Sequence, residues 1–105
     1  MIVTTSNDIA GHTIKTYLGV VRGIVVRSPT IGQGIMGGLK QIVGGNNETY
    51  AGICEVARKE SYDRMVQHTQ SIGANAIIAM RYDATEFSDS VTEVLAYGTA
   101  VKLDS

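Results

Sequence analysis

Three side chains in the sequence belong to the types that bind soft or borderline metal ions: Cys54, His12 and His68. Such ions prefer thiolate and imidazole ligands. Cys54 and His68 fall on neighbouring sides of one predicted helix, but fourteen residues separate them. At about 1.5 Å of rise per residue they lie roughly 20 Å apart. They cannot bind one ion within a chain, so a metal site would need ligands from several chains.

Each of these three residues also has a structural explanation. Cys54 lies on the stripe of the helix predicted to face inward, where a small buried thiol is common. His68 lies at the border of that stripe and is expected to be half-buried. His12 lies in a polar loop. The sequence therefore favours structural positions for these side chains, with metal binding as the alternative.

Two other stretches resemble binding motifs. Asp83, Glu86 and Asp89 form an acidic stretch that could hold a hard cation weakly, but their spacing is not that of an EF-hand, which favours a solvated connection. Gly32 and Gly34 open a literal G-x-G-x-x-G motif ending at Gly37.

Dinucleotide binding is disfavoured for this glycine motif. Ser28, Pro29 and Thr30 separate it from the preceding strand, no acidic residue ends a second parallel strand about 20 residues later, and the chain is short for a Rossmann sheet. Two alternatives remain. The N–H groups of Gly32 and Gly34 could bind an anion, or the segment could pack tightly against a neighbouring subunit.

Arg81 and Tyr82 end a predicted strand and could line a pocket between subunits. There Arg81 would either bind an anion or form an ion pair across the interface. We favour the ion pair. No spacing assembles a nucleophile, a base and an orienting group, and no G-x-S-x-G motif occurs. We therefore predict a protein that is not an enzyme.

One long helix and three main strands position these residues. Cys54, Ala57, Ser61, Met65, Thr69 and Ile72 recur at helical spacing after a predicted N-cap at Thr49, and Gly73 is placed to end the helix. The strands are predicted at 17–27, 76–82 and 93–103, with a short β-prone start at 1–5, a short helix from Ile35 to Val43 and a polar connection from Asp83 to Val91.

This order predicts one domain over residues 1–105, an α+β fold in which the helix covers one face of the sheet. The last two strands should pair antiparallel, because their connection is short. Both faces of the strands are apolar, and one helix covers only one face. We therefore predict a homo-oligomer. The alternative is that the short helix covers the second face within the monomer.

The composition limits the classes of binding partner that the protein could have. The net charge is −1 with no basic block, which argues against nucleic-acid binding. No apolar run approaches the roughly 20 residues that span a bilayer, and no leader segment begins the chain. The single cysteine excludes an intrachain disulfide. Together these features predict a cytoplasmic protein without membrane partners.

The segments IGQGIMGGLKQIVGG, IGANAIIAMRYD and EVLAYGTAV, with the long helix carrying Arg64 and Met65, resemble the YbjQ-like family over nearly the whole chain. This bacterial and archaeal family carries a heavy-metal-binding label without a characterised activity. The resemblance implies a dodecin-like subunit: a three-stranded antiparallel sheet, one long helix and short extra strands that aid assembly. It also implies a closed ring, a pentamer.

The leading interpretation is thus a small cytoplasmic, non-enzymatic protein that forms a ring and whose interfaces hold a small ligand. The second is a metal-binding protein with ligands from several chains. An enzyme with an active site between subunits ranks third.

Overall fold

A computed structural model describes residues 1–27, 47–88 and 91–104. The elements are β1 (Ile2–Val3), β2 (Thr13–Arg27), α1 (Asn47–Ser71), β3 (Ala76–Ser88) and β4 (Val91–Asp104). The predicted short helix from Ile35 to Val43 lies outside the described residues. The fold is a two-layer α+β arrangement, with α1 lying across β2 and β4.

Within the described residues, the sheet has four strands in the order β1–β3–β4–β2. β4 pairs antiparallel with both β2 and β3, as predicted for the last two strands. β1 pairs in parallel with the start of β3, through Ile2 beside Ala76. The sheet is therefore four-stranded and mixed, and not the three-stranded antiparallel sheet that the resemblance implies, because the short first strand adds a parallel neighbour.

β3 is longer than the sequence predicts. It continues through Asp83 and Glu86 to Ser88, so the predicted polar connection is wrong over this part of the chain. Hydrogen bonding to β4 keeps the polar residues extended, with Thr85 paired to Glu93 and Ser88 to Val91. The sequence pattern did not predict this extension, because Asp83 to Glu86 are exposed and therefore need no apolar alternation.

The predicted inward-facing stripe of α1 is confirmed for the middle of the helix. Ala57, Ser61, Met65 and Thr69 are buried. Cys54 is exposed and Ile72 is 39 % exposed, so the prediction that Cys54 is buried is wrong for the described chain. Only the middle of the stripe is therefore buried against the sheet. α1 also begins at Asn47, which places Thr49 inside the first turn instead of at the N-cap.

Gly73 ends α1 as predicted. Its φ of 81° is in the left-handed region, where glycine pays no steric cost. The amide of Ala74 donates to the carbonyl of Thr69, and that of Gly73 to the carbonyl of Gln70. This is the Schellman pattern, which satisfies carbonyls of the last helical turn and turns the chain into β3.

The close approach of α1 to the sheet depends on Gly23. A Cβ at this position would collide with the carbonyl oxygen of Ser61 and lie 2.8 Å from Cβ of Arg64. β2 therefore passes directly under the helix backbone. The core between the two layers is built on Val21, Met65, Ile77 and Ala100, with smaller alanines around them.

A bulge interrupts β3 opposite Gly98. The register between β3 and β4 shifts between Ile78 and Arg81, and Ala79 adopts a φ of 52°, which is uncommon for a residue with a side chain. The amides of Ala79 and Met80 donate to the carbonyls of Ser6 and Thr4. The bulge thus anchors the segment that follows β1.

Candidate functional site

Along the second half of β2, the sheet face opposite α1 carries exposed apolar side chains in the described part of the chain. Residues alternate along β2, so Val21 and Val25 are buried under the helix while Val20 is 68 % exposed and Val26 45 % exposed. Ile24 on the same face is 37 % exposed. The predicted two-faced sheet is confirmed: apolar side chains occupy both faces, and the described helix covers only one.

One end of this open face is covered by the chain itself. Ile9 and Ile14 pack against a small buried cluster formed by Ala76, Ile78, Val101 and Leu103. The cover reaches only the end of the sheet near the start of β2 and β3. Among the described residues, nothing comparable lies over the stretch that contains Val20, Ile24 and Tyr97, each of which is exposed.

Arg81 is held by its own chain. Its Nη1 donates to the carbonyl of Thr5 at 2.9 Å and to the carbonyl of Met80 at 2.8 Å. The guanidinium therefore ties the segment after β1 to the bulge of β3. Neither the anion contact nor the interfacial ion pair considered from the sequence is needed to explain its position, although the residue remains exposed.

Tyr82 lies on the opposite face of β3 from Arg81, because neighbouring residues of a strand point to opposite sides. It pairs with Ala96 in a register that faces α1. There it lines an open cleft of about 470 Å³ with Glu55, Arg58, Lys59 and Tyr62 of the helix. Arg81 and Tyr82 are therefore not brought together in one pocket.

Burial raises the pKa of the Tyr82 hydroxyl, and the nearby Tyr62 adds to this effect. Arg58 acts in the other direction on the same pKa. Lys59 forms an ion pair with Asp63 at 2.9 Å, and this hydrogen bond raises the pKa of the Lys59 amine. The cleft combines two aromatic rings with charges of both signs, but its side chains are largely exposed.

The three candidate metal ligands lie apart. Cys54 is exposed on the first half of α1, His68 is half-buried on its last turns, and His12 is exposed just before β2. Within residues 1–27, 47–88 and 91–104, no group of three or more His, Cys, Asp or Glu side chains is arranged to hold a metal ion. The predicted separation of Cys54 and His68 along one helix is confirmed, since both belong to α1.

The acidic stretch does not form a loop site. Asp83 and Glu86 both belong to β3, three positions apart, so their side chains point to opposite faces of the sheet. The Asp83 carboxylate accepts a hydrogen bond from the amide of Ala84 at 2.9 Å. Asp89, Gly32 and Gly34 lie outside the described residues.

A contact that the sequence did not reveal joins α1 to the outer edge of β2. Nδ1 of His68 accepts a hydrogen bond from the amide of Arg22 at 3.3 Å. One helical turn earlier, the guanidinium of Arg64 donates to the carbonyl of Ile24. Residues two apart on a strand direct their backbone groups to the same side, so the two side chains together cover part of the β2 edge. The sequence feature that could have predicted this contact is the i,i+4 spacing of Arg64 and His68 next to the inward stripe.

Comparison of folds places the molecule in a class of two-layer α+β proteins. A solved structure from Pediococcus pentosaceus, described as a protein of unknown function of the DUF74 family, superimposes with a TM-score of 0.65 at 18 % identity and covers 99 % of this chain and 98 % of its own. At this identity the likeness shows the fold alone.

Sequence comparison gives the family. The chain belongs to the YbjQ family, described as "putative heavy-metal-binding", whose model matches residues 1–104. A UPF0145 protein of Legionella pneumophila (strain Corby) is 59 % identical over 101 residues, covering 96 % of both chains. A UPF0145 protein of Chromobacterium violaceum is 52 % identical over 103 residues, covering 98 % of this chain and 88 % of its own. The resemblance found in the sequence is confirmed.

No helix in the described part of the chain is long and apolar enough to cross a membrane.

Proposed function

We propose that this chain is the subunit of a cytoplasmic, ring-shaped homo-oligomer with dodecin-like subunits, a pentamer, which is not an enzyme and holds a small ligand at its subunit interfaces. The observation that carries the assembly is the open sheet face with Val20, Ile24 and Val26. Exposed apolar patches of this kind mark contact surfaces in proteins. Fully burying one such side chain is worth about 1.5–3 kcal/mol.

The shape of the chain supports the same proposal. The radius of gyration is 16.8 Å, whereas a compact domain of this length has about 13 Å. The strands of the sheet are long relative to the helix layer that covers them, and the Val20 side of the sheet lies outside the two clusters of buried side chains. A neighbouring subunit would supply the missing cover.

The small ligand is proposed at the interfaces because the side chains that could contact it lie at the borders of the subunit. The cleft with Arg58, Tyr62 and Tyr82 opens beside β3, which is near one edge of the sheet. A neighbouring subunit would close this open cleft. Tyrosine rings and a guanidinium suit a small planar ligand that carries negative charge.

The assembly is tested by placing a charge on the open face. Val20→Glu should shift the protein from the oligomer to the monomer in sedimentation velocity at micromolar concentration, because a carboxylate cannot be buried unpaired. Val56→Glu is the matched control, since Val56 is also exposed, 55 %, but lies on α1. Equal sedimentation of both variants and the unmodified protein would count against a contact through this face.

A second function, metal binding by ligands from several chains, is favoured by one observation. The Cys54 thiol is free and exposed, so a ring would present it once per subunit. Metal analysis of protein purified without a histidine tag, after incubation with zinc, copper and nickel, tests this function. Stoichiometric metal that is lost in Cys54→Ser and kept in His12→Ala would support it; unmodified protein without bound metal would refute it.

A further inference from the structure

We propose that the cleft between α1 and β3 binds an aromatic monocarboxylate, with the ring between Tyr62 and Tyr82 and the carboxylate on the guanidinium of Arg58. This inference rests on one part of the proposed function, the small ligand. It specifies the chemical class of that ligand and the groups that select it, and it does not depend on how copies of the chain assemble.

The cleft exists because the sheet extends beyond the helix that covers it. α1 lies mainly over β2 and β4 and contacts β3 only slightly. Beyond the bulge, the side of β3 that faces α1 carries Tyr82 and, two positions later, Ala84. Ala84 is small and exposed, so the sheet leaves room beside the Tyr82 ring. The resulting volume of about 470 Å³ is in the range of pockets that hold small molecules.

The other wall of the cleft is formed by side chains of α1 that share one side of the helix, because they are three or four positions apart. They are Glu55, Arg58, Lys59 and Tyr62. Tyr62 is half-buried, and Tyr82 lines the same cleft from β3 and is 45 % exposed. A flat ring that enters the cleft would contact both phenols, and stacked or edge-to-face contacts between aromatic rings add to the gain from apolar burial.

Arg58 supplies the positive charge for the carboxylate. The charge of Lys59 is balanced by Asp63, with which it forms an ion pair at 2.9 Å. The Arg58 side chain is exposed in the cleft, and its charge lowers the pKa of the Tyr82 hydroxyl, so the guanidinium is within electrostatic reach of that ring. A guanidinium binds a planar carboxylate through two parallel hydrogen bonds, which orient the ligand as well as attract it.

The acidic side chains limit the ligand to one negative charge. Glu55 and Asp63 both raise the pKa of the Tyr82 hydroxyl, so their carboxylates also act on the cleft. A second carboxylate or a phosphate dianion on the ligand would face this negative charge. The raised pKa keeps the Tyr82 hydroxyl protonated at neutral pH, where it can donate a hydrogen bond to an anion.

Benzoate is the probe that tests this class of ligand, and saturation-transfer NMR of the unmodified protein at neutral pH measures its binding. We expect benzoate to bind more tightly than benzyl alcohol or benzylamine, which keep the ring without the negative charge. Cyclohexanecarboxylate, which keeps the charge without the planar ring, should bind more weakly than benzoate. The dianion terephthalate should also bind more weakly.

Substitutions in the cleft assign the two contacts. Arg58→Gln should raise the dissociation constant of benzoate by roughly tenfold, the loss expected for a charge-assisted contact, and leave that of benzyl alcohol unchanged. Tyr62→Leu should weaken both probes, because leucine keeps the apolar packing of this residue against the core but removes the ring. Arg22→Gln is the matched control, since Arg22 is an exposed arginine of β2 and does not line the cleft.

A gain of binding provides a test that misfolding cannot imitate. Glu55→Gln removes a negative charge from the wall of the cleft. It should raise the affinity for terephthalate by a larger factor than the affinity for benzoate, because the second carboxylate of terephthalate no longer faces a like charge. Equal factors for the two ligands would overturn the restriction to a monoanion.

Native mass spectrometry of the same samples separates the possible failures. Benzoate binding that is unchanged in Arg58→Gln, or tighter binding of benzylamine than of benzoate, would overturn this inference. An intact oligomer that binds none of the probes would overturn it as well and leave the proposed assembly standing. A monomer that binds benzoate with the expected order of probes would support this inference and overturn the proposed ring.

Discussion

Gly23 of β2 lies against the backbone of Ser61 in α1, so closely that a methyl group at Gly23 would overlap the Ser61 carbonyl oxygen. The colliding atoms belong to helix backbone, which cannot rotate away as a flexible side chain can. This contact sets the distance between the two layers along β2. The small buried residues Ala57 and Ser61 follow from it, since larger side chains would push the helix off the sheet.

Gly23→Ala should therefore lower the free energy of unfolding by at least about 1–3 kcal/mol, the usual cost of overpacking. Gly52→Ala is the control, because Gly52 is exposed in α1 and a Cβ there meets nothing within 4 Å. It should raise stability by up to about 1 kcal/mol through helix propensity. Urea unfolding followed by circular dichroism measures both. Equal stability of the two variants would show that the layers do not touch at Gly23.

Met65 is the largest side chain in the fully buried set and contacts the core between α1 and the sheet. Met65→Ala should cost about 2–5 kcal/mol, the range for removing a long buried side chain. Val56→Ala, at a position 55 % exposed on the same helix, should change stability by less than about 0.5 kcal/mol. A small effect of Met65→Ala in the same unfolding measurement would contradict the placement of the inward stripe.

The sequence was sufficient to predict that stripe and the Gly73 stop because both are local: helical spacing and a left-handed glycine are visible within a few residues. The sequence did not show where along the helix the stripe stops contacting the sheet. For that reason Cys54 was predicted to be buried, whereas it is exposed. Helical spacing indicates which side faces inward, but the length of the opposing surface depends on strands elsewhere in the chain.

The end of β3 and the contacts of the candidate site were missed for the same reason. Asp83 and Glu86 stay extended through pairing with β4, and no local pattern of their own indicates this. Arg81 bonds to Thr5, and His68 to Arg22, across long stretches of sequence. The two-faced sheet, by contrast, was predicted correctly, because alternation along β2 places apolar residues on both sides.

The Tyr82 hydroxyl should ionise only above the ordinary tyrosine pKa of about 10, because partial burial raises its pKa. Unfolding lowers that pKa, so the stabilising contribution is complete below about pH 10 and is lost as pH rises through the folded-state value. Absorbance of the phenolate against pH, compared between the unmodified protein and Tyr82→Phe, isolates this group. A difference spectrum that titrates at or below pH 10 would contradict the partial burial of the Tyr82 hydroxyl in this cleft.

Gly73→Ala should destabilise the chain by roughly 1 kcal/mol, because the Cβ of alanine is strained in the left-handed backbone that Gly73 adopts with a φ of 81°. The position is exposed and a Cβ meets nothing within 4 Å, so crowding does not contribute. Gly73→Asn should cost less than Gly73→Ala, since asparagine tolerates this conformation better. Thermal unfolding of the two variants gives the comparison, and an equal loss would argue against the Schellman stop.

The open face of the sheet is, in our proposal, an interface between copies of this chain. Native mass spectrometry of the unmodified, untagged protein at micromolar concentration tests it most directly. We expect one dominant species at five times the 11.2 kDa chain mass, which dissociates in Val20→Glu. A single species at the mass of one chain would contradict the claim.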